Sequence, residues 1–231
     1  MFLNDYQTYN LLFNQVEKID INNINFLVDE SFNKYLQTRL KGKIDIIIPY
    51  YKIDKYLLRE CFLSLTKQTF INDCMIYLIS DDSPDEEHVF ELFNTFKGLL
   101  NLCFLKTEKN SGPGVARNLA IEKSYNKYIF FLDSDDYLNN ENLLEKLFNY
   151  AENNKKYDII EGNTLIYNKS QDKFYYSNMQ HCCLFKRESL IKNNIKFSES
   201  FIAEDFYFFS LISLYNLKIK KINIDGYIYN K

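Results

Sequence analysis

The chain has 231 residues, 46% of them apolar and 26% charged, with an aromatic excess of 19 Tyr and 20 Phe and no Trp. Its 28 basic and 31 acidic side chains leave a net charge of −3, which argues against a surface built to wrap nucleic-acid phosphates, and 3 Pro with 6 Gly exclude collagen-like or disordered chains. The longest apolar run, Cys74 to Ile79, is six residues, where a membrane-spanning helix needs about 20. No basic segment precedes an apolar one at the start, so the expectation is a cytoplasmic protein without a transmembrane segment. Five cysteines without C-x-x-C spacing read as free thiols.

Residues 1–42 are Asn-rich and carry two short amphipathic patterns, Tyr6 to Val16 and Phe32 to Leu40, which predict an N-terminal helical extension. From Lys43 short apolar runs alternate with helical periodicity. The runs Ile44–Ile48, Cys74–Ile79, Leu102–Leu105 and Tyr128–Leu132 are too short for buried helices and rich in β-branched and aromatic residues, so they predict strands. Helices are predicted between them, after Asp54 as N-cap, after Pro84, and from Pro113 at a first helical position. That alternation predicts a largely parallel sheet with right-handed crossovers. Beyond Asp136 the pattern predicts a helix over 139–153, strand pieces at 158–160, 165–167 and 174–176, and helices at 187–192 and 204–217. Two terminal strand pieces follow at 219–224 and 227–229.

The chemistry gathers where strands end. Strand one runs into Pro49-Tyr50-Tyr51, strand two into Ser80-Asp81-Asp82-Ser83, and strand four into Asp133-Ser134-Asp135-Asp136. Asp is a turn former, which accounts for either acidic loop alone. Two such loops at one sheet edge ask for a compensating cation, because clustered like charges are unfavourable. Asp133 and Asp135, two residues apart, are hard oxygen ligands that suit Mg²⁺ or Mn²⁺ with phosphate oxygens completing the shell. Asn110-Ser111-Gly112-Pro113-Gly114 opens a helix whose N–H groups favour an anion, with Arg117 one turn in; a plain loop before a helix is the simpler reading. Glu204-Asp205 begins an apolar helix, either as complement to its dipole or as a general base facing a cleft. His88 and His181 read as surface or packing residues. Lys218, Lys220 and Lys221 read as a solvated strand edge, with peripheral contact to an anionic lipid carrier as the other reading.

In order and spacing, Ile46 to Tyr51, Leu65 to Gln68, Ser80 to Asp85, Asn110 to Asn118, Phe131 to Asp136 and Glu204-Asp205 resemble the signature of family 2 glycosyltransferases with the GT-A fold, over about Lys43 to Asn230. The resemblance implies an α/β fold: a single Rossmann-like, mostly parallel central sheet flanked by helices, with a nucleotide-binding half at 43–136 and a smaller mixed acceptor-side half at 137–231. It implies inverting transfer of a sugar from a nucleotide-diphosphate donor, UDP favoured, to a hydroxyl of a glycan or lipid-linked acceptor, in surface polysaccharide or glycoconjugate assembly. Pro49, Tyr50, Tyr51, Asp81 and Asp82 would then hold the nucleoside end of the donor, with Gly112 also donor-binding. Arg117 would lie near the diphosphate, Asp133 and Ser134 by the ribose or sugar, Asp135 with Asp133 on Mn²⁺ or Mg²⁺, Glu204 on the acceptor side, and Asp205 would be the base. Lys52 departs from the usual Asn, and the chain stops at Lys231 where relatives continue, which reads as a short or truncated tail. The alternatives are a catalytically idle sugar-nucleotide binder and a haloacid-dehalogenase-like phosphotransferase using Asp133 as nucleophile.

Overall fold

The computed structural model describes residues 42–230 except Asp85, Lys169 and Phe201. The expected N-terminal extension, apart from Gly42, lies outside the described residues, as does Asp85.

Four strands alternate with three helices first: β1 (Ile44–Tyr50), α1 (Lys55–Thr66), β2 (Cys74–Ser80), α2 (Glu87–Phe96), β3 (Leu102–Lys106), α3 (Pro113–Lys123) and β4 (Tyr128–Phe131). Then come β5 (Tyr137–Leu138), α4 (Leu143–Asn153), β6 (Ile159–Asn168), β7 (Lys173–Ser177), β8 (Cys183–Lys186), α5 (Arg187–Lys192), α6 (Glu204–Leu214) and β9 (Ile219–Asn230). Among the described residues the strands form one sheet of nine, ordered β3-β2-β1-β4-β8-β6-β9-β5, with β7 beside β6. The first four are parallel, as the β-α alternation requires. β8 runs antiparallel to β4 and to β6, and β6 is parallel to β9.

Those directions bring the C-terminal ends of β1, β2, β4, β6 and β9 and the start of β8 to a single edge. In an open α/β sheet that edge is where a ligand sits. β1 and β2 are buried along their whole length, which is why they read as continuous apolar runs. Pro49 is tolerated inside this central strand for a local reason. Leu132 N donates to Ile47 O, so alternate residues of β1, Pro49 among them, face β4. β4 has already ended at Phe131 opposite Ile47, and no partner strand asks Pro49 for an N–H.

The second half differs in detail from the expectation. β6 is one strand of ten residues where two pieces were expected, and β9 is one strand of twelve. A register shift opposite Glu161, Asn163 and Thr164 breaks the alternation that would have marked each as continuous. β8 was not expected; its Cys183-Leu184-Phe185 run is short and buried on both faces. α4 starts at Leu143 rather than 139, because Tyr137–Leu138 pair with β9 and the Asn140 amide donates to Asp225 O. α6 stops at Leu214, where Asn216 turns left-handed at φ 52° and Leu217 N closes on Ile212 O. Among the described residues no helix is long and apolar enough to cross a membrane.

Candidate active site

A cleft of about 350 Å³ lies on the edge named above. Its lining comes from the end of β1 (Pro49, Tyr50, Tyr51), the end of β2 (Asp81), the start of α3 (Pro113, Arg117) and the loop after β4 (Asp133, Ser134, Asp135). Met179 and His181 ahead of β8, Glu204 and Asp205 at the start of α6, and Tyr229 near the end of β9 complete it.

Arg117 is the junction. Its guanidinium donates to Asp133 Oδ1 at 2.6 Å and Glu204 Oε1 at 3.1 Å, with Asp205 Oδ1 at 3.5 Å. The side chain is buried and its guanidinium also lies 5.2 Å from the Phe197 ring. Burial would lower its affinity for the proton, but Asp133, Asp205 and Glu204 outweigh that and raise it. Expected beside a diphosphate, Arg117 does line the cleft, yet its donors already serve the protein's own carboxylates. The contact is possible because residue 114 is glycine: a Cβ there would meet Ser198 O at 2.3 Å and Glu204 Cβ at 3.2 Å, so only glycine lets the start of α6 close on α3.

The three carboxylates differ in environment. Burial pushes Asp133 up, but Arg117 outweighs it and holds the carboxyl below the usual range. Asp205 is the more open of the α6 pair, its side chain 48% exposed against 12% for Glu204. Burial raises the Asp205 pKa, Arg117 pulls it back, and Glu204 and Asp133 add to the rise; the net shift is upward, which suits a proton acceptor. Ala203, just before them, is left-handed at φ 60°, a backbone state that non-glycine residues hold at a cost of roughly 1–2 kcal/mol, and it sets the angle at which α6 begins.

The loop after β4 is held from the far end of the chain. Tyr227 Oη donates to Asp136 Oδ2 at 2.7 Å and accepts from Asp133 N at 3.2 Å. Asn230 N donates to Asp136 Oδ1 at 2.9 Å and its amide to Asp135 O at 3.1 Å. Asp136 is fully buried, and burial, then Asp133, push its pKa up to about 8. Asp136 is thus a structural acid beneath the loop, while Asp135 stays in the cleft lining, its own pKa raised by burial and by Asp133. Among the described residues no group of three or more His, Cys, Asp or Glu side chains converges at ligand geometry for a metal ion.

The loop after β3 was expected to offer N–H groups to an anion. It does so internally: Asp81 accepts from Gly112 N at 2.7 Å, Ser111 N at 3.0 Å and Thr107 Oγ1 at 3.0 Å. Gly112 holds φ 91°, a backbone state that glycine adopts at little cost. Asp82 does not line the cleft; it pairs with Lys106 at 3.2 Å. Tyr50 is buried and donates to Glu86, so Tyr51, half exposed, is the aromatic face the loop presents. Lys52 is left-handed at φ 50° and its N–H donates to Ser83 Oγ. Asn adopts that conformation more readily than Lys, which explains in physical terms the residue usual there.

His181 was expected as surface or packing, and Met179 and Tyr229 had no expected role. The His181 ring stacks on Tyr229 and Tyr227, centroids 5.3 and 5.5 Å away. Its Nε2 is shielded from solvent and has no hydrogen-bond partner among the described residues, a state that costs about 1–3 kcal/mol. No local pattern marks it: one His of two, in a segment without periodicity. His88, in contrast, is tied to Ile53 O at 2.9 Å and serves packing.

The model of the family described as Glycosyl transferase family 2 matches residues 45–213. The chain is similar to poly(ribitol-phosphate) beta-N-acetylglucosaminyltransferase TarP of Staphylococcus aureus (strain N315), at 30% identity over 203 residues, 79% of this chain and 61% of the relative. It is also similar to glycosyltransferase GlyA of Streptococcus pneumoniae serotype 4, at 28% identity over 82% of this chain and 28% of that protein. In structure it resembles S. aureus TarS 1–349 in complex with UDP-GlcNAc, with a TM-score of 0.71 at 24% identity, covering 82% of this chain and 58% of that one. The chain therefore spans from about a quarter to three fifths of the length of these relatives.

Proposed function

Because the chain belongs to glycosyl transferase family 2, we propose that its cleft binds a nucleotide-diphosphate sugar and that Asp205 takes the proton from an acceptor hydroxyl, so that the sugar is transferred with inversion. The observation that carries this is the Arg117 junction, which fixes the acids of the β4 loop and of the α6 start around one cleft. The donor lies along Tyr51, Ser134 and Asp135, and Asp205, partly open and with a raised pKa, stands ready on the α6 side. Arg117, held by three acids, keeps Asp133 ionised and holds both Asp133 and Glu204 in place. The relatives named above, whose names and titles mention N-acetylglucosaminyl transfer and a UDP-GlcNAc complex, support a UDP-sugar as donor and a polyol-phosphate or glycan hydroxyl in cell-surface polymer assembly as acceptor.

Five carboxylates line the cleft (Asp81, Asp133, Asp135, Glu204 and Asp205), and its one guanidinium is already engaged. The residues that would hold a hard divalent cation, Mn²⁺ or Mg²⁺, beside phosphate oxygens are Asp135, then Asp133, whose oxygens suit such an ion. Such an ion supplies positive charge to a diphosphate as it departs. The phosphotransferase alternative needs Asp133 free as a nucleophile, whereas its Oδ1 is held 2.6 Å from Arg117.

The test separates binding from chemistry. Asp205→Asn keeps the shape and a hydrogen-bonding group but removes the base. It is expected to bind UDP within a few-fold of the parent and to lose at least about 100-fold in sugar transfer, the scale of general-base contributions. Isothermal titration and a transfer assay read the two quantities, and full transfer by a folded Asp205→Asn protein would overturn the assignment.

A further inference from the structure

Of the fourteen residues lining the cleft, only Arg117 and His181 can carry positive charge. Arg117 spends two of its N–H donors on Asp133 and Glu204. His181 is the opposite case: its place is fixed, and its ring nitrogen is unspent. The backbone that follows it is tied down, Cys182 N donating to Thr164 Oγ1 at 3.2 Å and Cys183 N to His181 O at 2.9 Å. The ring lies nearly parallel to Tyr229, 5° between the planes, and 19° from Tyr227. A ring present only to stack would gain nothing from Nε2. Phe would fill the same stack without leaving a polar atom out of reach of water and without a partner.

On the premise that the cleft takes a nucleotide-sugar, we propose that His181 donates a hydrogen bond from Nε2 to a non-bridging oxygen of the donor's diphosphate, and so recognises the phosphates rather than the base or the sugar. Three observations converge on it. The nitrogen has no partner among the described residues. The residue shares the cleft with Asp135, Asp133 and Asp205, where a diphosphate has few other donors available. Tyr227 ties the same stack to the β4 loop through Asp136 and Asp133 N, so the imidazole keeps a constant position relative to Asp135. A phosphate oxygen is a strong acceptor, and pairing it with a shielded N–H relieves the cost of leaving that N–H unmade.

The experiment is a calorimetric titration of the full chain with UDP and with uridine, in Mn²⁺, for the parent, His181→Phe and His181→Gln. Phe keeps the stack and removes the nitrogen; Gln restores an N–H near the place of Nε2. The expected result is a loss of at least about tenfold in UDP affinity for His181→Phe with uridine affinity unchanged, and recovery of most of the loss in His181→Gln. Equal UDP affinity in a folded His181→Phe protein overturns the proposal, as does an equal loss for UDP and uridine, which would mark a purely structural role. A measurement without substitution stands beside it. The chain has two histidines, so imidazole ¹⁵N spectra of the parent are simple, and the His181 Nε2 signal is expected to move with UDP and stay with uridine. A His181 signal that UDP leaves unmoved overturns the proposal even if the Phe variant does not fold. If the parent binds none of UDP, GDP, CDP and dTDP with Mn²⁺, the donor reading itself falls, a result distinct from failure of the His181 contact alone.

Discussion

Asp45 is an acid in the middle of an otherwise apolar strand. It is fully buried and accepts from Tyr125 N at 2.9 Å, Asn126 N at 2.7 Å and the Asn126 amide at 2.7 Å, so it fastens the turn that leads into β4. Burial outweighs those hydrogen bonds and pushes its pKa from 3.8 up to about 6. A carboxyl whose pKa is raised on folding gives stability that is whole below the unfolded value, near pH 4, and is lost as pH rises through about 6. Asp45→Asn removes that titration and keeps an acceptor. The stability of the parent relative to Asp45→Asn is therefore expected to fall by about 2–3 kcal/mol between pH 4 and pH 7, measured by urea denaturation at each pH; a difference that is flat or rises with pH would contradict the burial account. Sequence makes some residues legible and others not, and Asp45 shows where the line falls. The acids of the strand-end loops stand out because Asp is conspicuous after an apolar run. Which acid is spent internally does not: Asp81 turns out to hold Ser111 and Gly112, and Asp136 to anchor Tyr227, through partners 30 or more positions away.

At the level of elements, α3 and α6 form the two sides of the Arg117 junction, and their approach depends on the absence of one carbon. Gly114→Ala would place a methyl group 2.3 Å from Ser198 O. That atom belongs to the backbone and cannot rotate away, so the segment leading into α6 must retreat from α3, which loosens the Arg117–Glu204 contact at the start of α6. The expected outcome is a loss of about 1–3 kcal/mol in stability, the usual range for overpacking, with a disproportionate fall in transfer, checked by thermal denaturation alongside the transfer assay. Native activity in Gly114→Ala would show that the close approach is dispensable. The four parallel strands and their helices were legible because each carries a single, unbroken period. β6, β8 and β9 were not, since β6 and β9 change register midway and β8 has only four residues. The broken alternation made one strand look like two.

For the molecule as a whole, the net charge of −3 conceals a marked local imbalance. Five carboxylates among the described residues line one cleft, so the proposed nucleoside diphosphate entering alone would meet repulsion there. UDP with Mn²⁺ is therefore expected to raise the melting temperature by several degrees, and UDP with EDTA by little or nothing, in a thermal-shift comparison; equal shifts in both would remove the need for a cation. A further consequence lies in time rather than in charge. The loop that carries Asp133 and Asp135 is fastened by Tyr227 and Asn230, residues 91 to 95 positions later than the groups they bind. During synthesis the parallel strands and their helices can pair as they emerge, but the loop stays unfastened until β9 threads between β6 and β5. Closing so long a loop is an ordering step that nothing local can replace. The chain is thus built so that its framework folds early and its cleft edge last, and a nascent or partly unfolded molecule has a sheet before it has a cleft.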